Sequence, residues 1–256
     1  MLLIIPAIDI EHGHCARCII GEPGTETLYT LISVNPSDLA RLWRRENAKS
    51  IHITDHDALQ EGHSRYNAET IKDLIRAVDI PVQLLSYYPT TDMCRRWLES
   101  GVYRVIISQL VLTNPEGVRE LIKEYTASRI ILGIRAYNRR VVFPDLRCDI
   151  GDVEFALTAK SLGIQRLVYT DISWEGTLCG PDYNILTDIA RTSKMRVTAA
   201  GGVAGPEQLW KLQELQREGV DSVIVGRALY ENRFPCQKIW RQIEAELEPE
   251  LLEHTQ

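Results

Sequence analysis

Asp9 follows the apolar run LLIIPAI and Asp171 follows RLVYT, so two carboxylates terminate two β-prone segments. Such a pair suits acid–base work, in which one ionised carboxylate takes a proton while the other, held protonated, gives one. An aspartate after a strand also suits the N-cap of the next helix. Arg17, in the long first loop, and Arg135, after IILGI, offer guanidinium groups to an anionic or polar end of a substrate. Thr170 precedes Asp171, and Gly176 and Thr177 follow in the next loop, so all three are candidate substrate contacts. Asp55 and His56 end another apolar run, and Trp174 offers a ring that stacks on a planar ligand or covers a rim.

A second kind of chemistry is carried by Met195–Tyr230. Arg196–Ala200 stops at Gly201-Gly202, and Asp221–Val225 stops at Gly226-Arg227, just before the short helical piece Ala228–Tyr230. Bare glycine backbone lets amides approach a ligand closely. On adjacent strands of a parallel sheet the two turns would meet and hold a phosphate dianion with Gly201, Gly202, Gly226 and Arg227. Five of the six histidines, His12, His14, His52, His56 and His63, fall early, with Cys15 and Cys18 spaced C-x-x-C. No second C-x-x-C completes a ligand set, so no metal is expected and these residues read as a wet loop rim.

These groups need a frame that gathers strand ends. Apolar runs alternate with helical patterns eight times, the βαβα signature of a parallel sheet. Strands are expected near Leu2–Ile10, Ser50–Thr54, Pro81–Leu85, Tyr103–Ser108, Arg129–Ile134, Gln165–Thr170, Arg196–Ala200 and Asp221–Val225. Asn35-Pro36 and Asn114-Pro115 start helices, and Ala40, Leu42 and Trp43 mark the inner side of the first. The architecture implied is an α/β fold, a (β/α)8 TIM barrel, in one domain over residues 1–247. A helix near Pro235–Leu247 would close the ring, ahead of an acidic tail over 248–256.

The chain repeats itself in two half-barrels, about 1–125 and 126–247. Thr-Asp at 170–171 answers Thr-Asp at 54–55, RVTAAGGV answers PVQLLSYY, VIVGRALY answers VIISQLVL, and IILGIR answers IIPAID. The repeat exposes a difference: Ser86-Tyr87 and Ser108-Gln109 stand where the second half has Gly201-Gly202 and Gly226-Arg227, so the twin phosphate site is expected to be missing. Arg135 likewise stands where symmetry would place a second Asp9.

A formal charge of −6 and a pI near 5.6, with Lys and Arg dispersed along helices, argue against a nucleic-acid surface. The opening MLLIIPAIDI lacks a basic n-region and reads as a buried strand, and no run approaches a membrane span. Six cysteines without a regular framework suit a reducing cytoplasm.

PAIDI with Arg17, the half-barrel repeat, TDISWEGTLCGP, AAGGV and VIVGRALY together resemble the histidine-biosynthesis family of the HisA isomerase and the HisF cyclase, and the isomerase more closely. The resemblance covers nearly the whole chain. It implies an Amadori rearrangement of the aminoaldose ProFAR to the aminoketose PRFAR, with Asp9 as general base, Asp171 as general acid and no cofactor. The family's third-strand GGG-x-R appears here as Leu85–Pro89, and its fifth-strand aspartate as Arg135. The expectation is therefore a divergent isomerase acting on a singly phosphorylated small molecule. Its alternatives are a genuine ProFAR isomerase with a rebuilt distal site, a non-catalytic phosphate-ligand protein and a metal enzyme.

Overall fold

The computed structural model describes residues 2–16, 35–62, 66–230 and 234. Arg17, Cys18, His63, the expected closing helix and the acidic tail lie outside the described residues. Eight parallel strands form a closed ring: β1 (Leu3–Glu11), β3 (Ile51–Asp55), β4 (Val82–Leu85), β5 (Arg104–Ile107), β6 (Ile130–Tyr137), β8 (Arg166–Asp171), β9 (Arg196–Ala200) and β10 (Val220–Val225). β1 pairs β3 on one side and β10 on the other, which closes the barrel. All eight expected strands are present. β1 and β6 run past their expected ends because each turns back into a short antiparallel strand, β2 (His14–Cys15) and β7 (Arg140–Val141). These hairpins have no counterpart in the sequence reading. Their turns carry paired left-handed residues, His12 with Gly13 and Asn138 with Arg139, the twist that two-residue hairpins favour.

Helices start where local chemistry directs. The Asn35 side chain accepts from the Ser37 amide ahead of Pro36–Arg45, and Asn114 does the same for Gly117 ahead of Pro115–Tyr125. Ala40, Leu42 and Trp43 are buried as their spacing requires.

Strand side chains alternate between two cores. One small cluster, Ile5, Ala7, Ile106, Ile131, Val168 and Ile224 with Leu3, Leu85 and Ala200, fills the barrel interior. A larger one, with Ile8, Ile10, Ile53, Leu84, Ile107, Leu132, Ile134, Tyr169 and Val197, packs between strands and helices. That alternation fixes the direction of every polar residue on the same strands. His52 and Gln83, on the inward positions of β3 and β4, are ladder partners, and the Gln83 Nε2 lies 3.1 Å from the His52 Nδ1. The His52 Nε2 lies 3.3 Å from the Thr54 hydroxyl.

Burial pushes the His52 imidazole down to about 4, although the Asp9 carboxylate pulls the other way. Between pH 6.5 and pH 4 the unfolded chain therefore binds a proton that the folded chain does not, and about 3 kcal/mol of stability held above that window is lost as the pH falls through it. Urea titrations across that window should show a clearly smaller loss for His52→Gln; an equal loss would contradict the account.

Candidate active site

The mouth of the barrel is built by ladder register. Asp9 pairs with Thr54, and Arg135 pairs with Thr170. One step further, Ile10 pairs with Asp55 and Ala136 with Asp171. The halves thus superpose in register, and Arg135 stands where Asp9 stands in the other half. Asp9, Arg135 and Thr170 share the inward parity of Ala7, Ile131 and Val168, so they face the mouth together.

Asp171 has the opposite parity. It is buried beside outward-facing Tyr169, and one carboxylate oxygen accepts from the Ser173 amide at 2.8 Å and from the Ser173 hydroxyl at 2.6 Å. Its carbonyl also takes the amides of Trp174 and Glu175. Its symmetry mate Asp55 does the same kind of work: fully buried, it caps the helix His56–Glu61 through the Ala58 amide and accepts from Asn67 and Ser86. Both aspartates hold the loop or helix that follows their strand. The register brings Asp9 and Asp171 to the same end of the barrel but not to the same side of its wall.

Glu175 is a mouth residue that the sequence reading does not single out, whereas His56 is one it places at a strand end. Glu175, in the loop after β8, accepts from the Arg135 Nε at 3.0 Å, so the guanidinium expected to meet an anionic or polar end of a substrate pairs with a carboxylate of the protein. His56 places its Nε2 at 3.7 Å from the Asp9 Oδ1. Counting by twos from the apolar inward residues would have turned Asp171 away; no local pattern would have aimed Glu175.

β9 and β10 pair with Ala200 opposite Ile224, so the turns at Gly201-Gly202 and Gly226-Arg227 lie side by side. Gly201 and Gly202 both adopt left-handed φ, +83 and +77. A Cβ on Gly202 would lie 2.9 Å from the Gly180 carbonyl carbon and oxygen, so part of the close approach made possible by glycine is used by the loop after β8. That loop is pinned further. The Gly180 amide donates to the Gly202 carbonyl at 2.7 Å, Thr177 Oγ1 donates to the Trp174 carbonyl, and the Arg227 Nη1 donates to the Gly176 carbonyl at 2.8 Å. Trp174 is buried, with its indole N–H donating to the Ala200 carbonyl, so it braces the loop and is not an exposed stacking platform.

The equivalent turn of the first half is filled by side chains. Ser86 donates to Asp55 at 3.2 Å, and the Tyr87 ring lies 3.8 Å from where a Cβ on Gly62 would be. Among the His/Cys-rich residues, Cys15 is buried on β2, and Glu11, His12 and Asp57 bring possible ligand atoms within 4.8 Å of one another. The His12 amide donates to both Asp57 oxygens at 3.1 Å, so this cluster braces the β1–β2 hairpin.

The sequence profile of the family described as histidine biosynthesis protein matches residues 3–235. The chain belongs to that family. It is 42% identical over 251 residues to a protein of Pelodictyon phaeoclathratiforme, covering 96% of this chain and 95% of the relative. A protein of Chlorobium phaeobacteroides strain BS1 is 43% identical over 248 residues, covering 95% and 93%. One of Chloroherpeton thalassium is 42% identical over 245 residues, covering 95% and 92%. All three are named as the isomerase of 1-(5-phosphoribosyl)-5-((5-phosphoribosylamino)methylideneamino) imidazole-4-carboxamide. Among the described residues no helix is long and apolar enough to cross a membrane.

The glycine geometry is testable. Gly202→Ala combines left-handed backbone with a backbone clash and should cost about 2 kcal/mol or more in denaturant unfolding. Gly226→Ala meets only the Ala7 Cβ, at 3.6 Å, and should be nearly neutral. Equal costs would contradict the packing described.

Proposed function

We propose that the chain is an aldose–ketose isomerase of the histidine-biosynthesis type, carrying out the Amadori rearrangement on the bis(phosphoribosyl) compound for which its relatives are named. The observation that supports this best is Asp9, an inward-facing carboxylate at the barrel mouth of a chain matched along nearly its whole length by isomerases. In this reading Asp9 removes the proton from C2 of the aminoaldose. One phosphate sits on the paired turns of Gly201, Gly202, Gly226 and Arg227, while Thr170, Gly176 and Thr177 line the adjoining wall. Arg17 and Arg135 serve the other end of the substrate. The rearrangement moves protons and electron pairs within one molecule, so no external hydride carrier or other cofactor is required. Binding energy from the phosphates holds the reacting carbons against the base.

Asp171 receives no proton-transfer role here. Its outward parity and its bonds to Ser173 support a part in holding the substrate-side loop.

The relatives' names favour this reading over a singly phosphorylated substrate. The narrower reading retains one point in its favour: the first-half turn is occupied by Ser86 and Tyr87. Growth of a histidine auxotroph lacking the isomerase separates the two. Rescue is expected; no rescue, with turnover of a monophosphorylated aminoaldose, would select the narrower reading. In the purified protein Asp9→Asn should lower kcat by about a thousandfold or more, whereas Asp171→Asn should stay within about tenfold and lose stability instead. The reverse order would overturn the assignment.

A further inference from the structure

The histidine-rich start of the chain has no part in the isomerisation above, yet some of its side chains gather in one place. Glu11 ends β1, His12 and Gly13 turn the chain into β2, and Asp57 lies in the first turn of the helix His56–Glu61. Possible ligand atoms of Glu11, His12 and Asp57 all lie within 4.8 Å of one another. In a straight strand consecutive side chains point to opposite faces. The left-handed backbone of His12, at φ +50, breaks that alternation, so the side chains of Glu11 and His12 both meet Asp57.

Spacing, charge and access set this cluster apart from an ordinary ion pair. The His12 Nδ1 lies 3.5 Å from the Asp57 Oδ1, too far for a good hydrogen bond. Two ligands of one tetrahedral ion, each about 2.0–2.1 Å from it, stand about 3.4 Å apart. The Asp57 side chain is only 2% exposed, and among the described residues its carboxylate has one hydrogen-bond donor, the His12 amide, at 3.1 Å from each oxygen. Buried carboxylates are paired with cations or bound to metals, and one shared amide is thin compensation. The Glu11 carboxylate adds a second negative charge and has no hydrogen bond or ion pair among the described residues. The His12 ring is 65% exposed, so an ion can enter from solvent. The amide that holds Asp57 is the kind of outer donor that fixes a ligating carboxylate.

We propose that Glu11, His12 and Asp57 form a structural site for a first-row divalent metal ion of the zinc type. One imidazole nitrogen with two carboxylates suits zinc, cobalt or nickel, whereas magnesium and calcium take oxygen ligands. His14 is the ladder partner of Glu11, so its side chain stands on the same face of the hairpin as a fourth donor for the ion. Bound there, the ion offsets both carboxylates and joins the β1–β2 hairpin to the helix that follows β3. The site stands independently of the isomerase reading.

Equilibrium dialysis of the full chain against Zn²⁺, with Co²⁺ titrations followed by visible spectroscopy, tests this in the wild type, Glu11→Gln and His12→Gly. His12→Gly removes the ring while suiting the left-handed backbone, and melting temperatures without metal check that both variants fold. The wild type should take up about one zinc per chain and melt at a higher temperature when loaded. Its cobalt form should show visible bands without a thiolate charge-transfer band. Each variant should bind zinc at least about tenfold more weakly, the smaller of the losses seen when only an outer partner of a ligand is removed. Calcium should bind far more weakly than zinc. A wild type without stoichiometric zinc, zinc uptake unchanged in either variant, a thiolate band that shows cysteine ligands, or calcium bound as tightly as zinc would overturn the proposal.

Discussion

Closure of the ladder between β1 and β10 is the constraint from which the site follows. Once the ring is shut, each strand has one face toward a small apolar plug and one toward the helices, and a shift of one residue would exchange them. Ile5 and Ala7 inside, with Ile8 and Ile10 outside, leave Asp9 a single direction, into the mouth. Val168 inside and Tyr169 outside do the same for Thr170 and Asp171, in opposite senses. The apolar residues thus assign direction to polar ones that contribute nothing to the plug themselves.

The same register describes two halves that share geometry and differ in chemistry. Asp55 and Asp171 are equivalent and equivalent in use, each bonded to the segment after its strand. Asp9 and Arg135 are equivalent in place and opposite in charge, and the exchange recruits Glu175 from the loop after β8. Glycines at 201 and 202 let that loop lie down on the β9 turn, and Arg227 ties it from the β10 side. In the first half Ser86 and Tyr87 fill the corresponding space against Asp55 and Gly62. The halves have thus divided the work: the second presents its backbone at the mouth, and the first packs side chains into it.

Much of this was legible from residues alone. Apolar runs alternating with helical patterns marked every barrel strand, and the internal repeat, which counts along strands of fixed register, sets Ser86-Tyr87 where the second half has Gly201-Gly202. Asp171 reads from its motif as a carboxylate at a strand end, and the two-residue alternation that turns Thr170 inward sets Asp171 on the side of Tyr169. Glu175 was not legible, because its position depends on where the loop after β8 folds; His56 was legible as a strand end, but its approach to Asp9 depends on where a short helix begins after β3. The hairpins β2 and β7 were missed because two-residue strands carry too little pattern to stand out.

The most direct measurement of the central claim is a crystal structure with a phosphoribosyl ligand diffused into the barrel. The account predicts a phosphate on the amides between Gly202 and Arg227, the sugar carbons against Asp9, and Asp171 still bonded to Ser173 behind the wall. A sugar seated on Asp171, or a phosphate held anywhere but those paired turns, would contradict it.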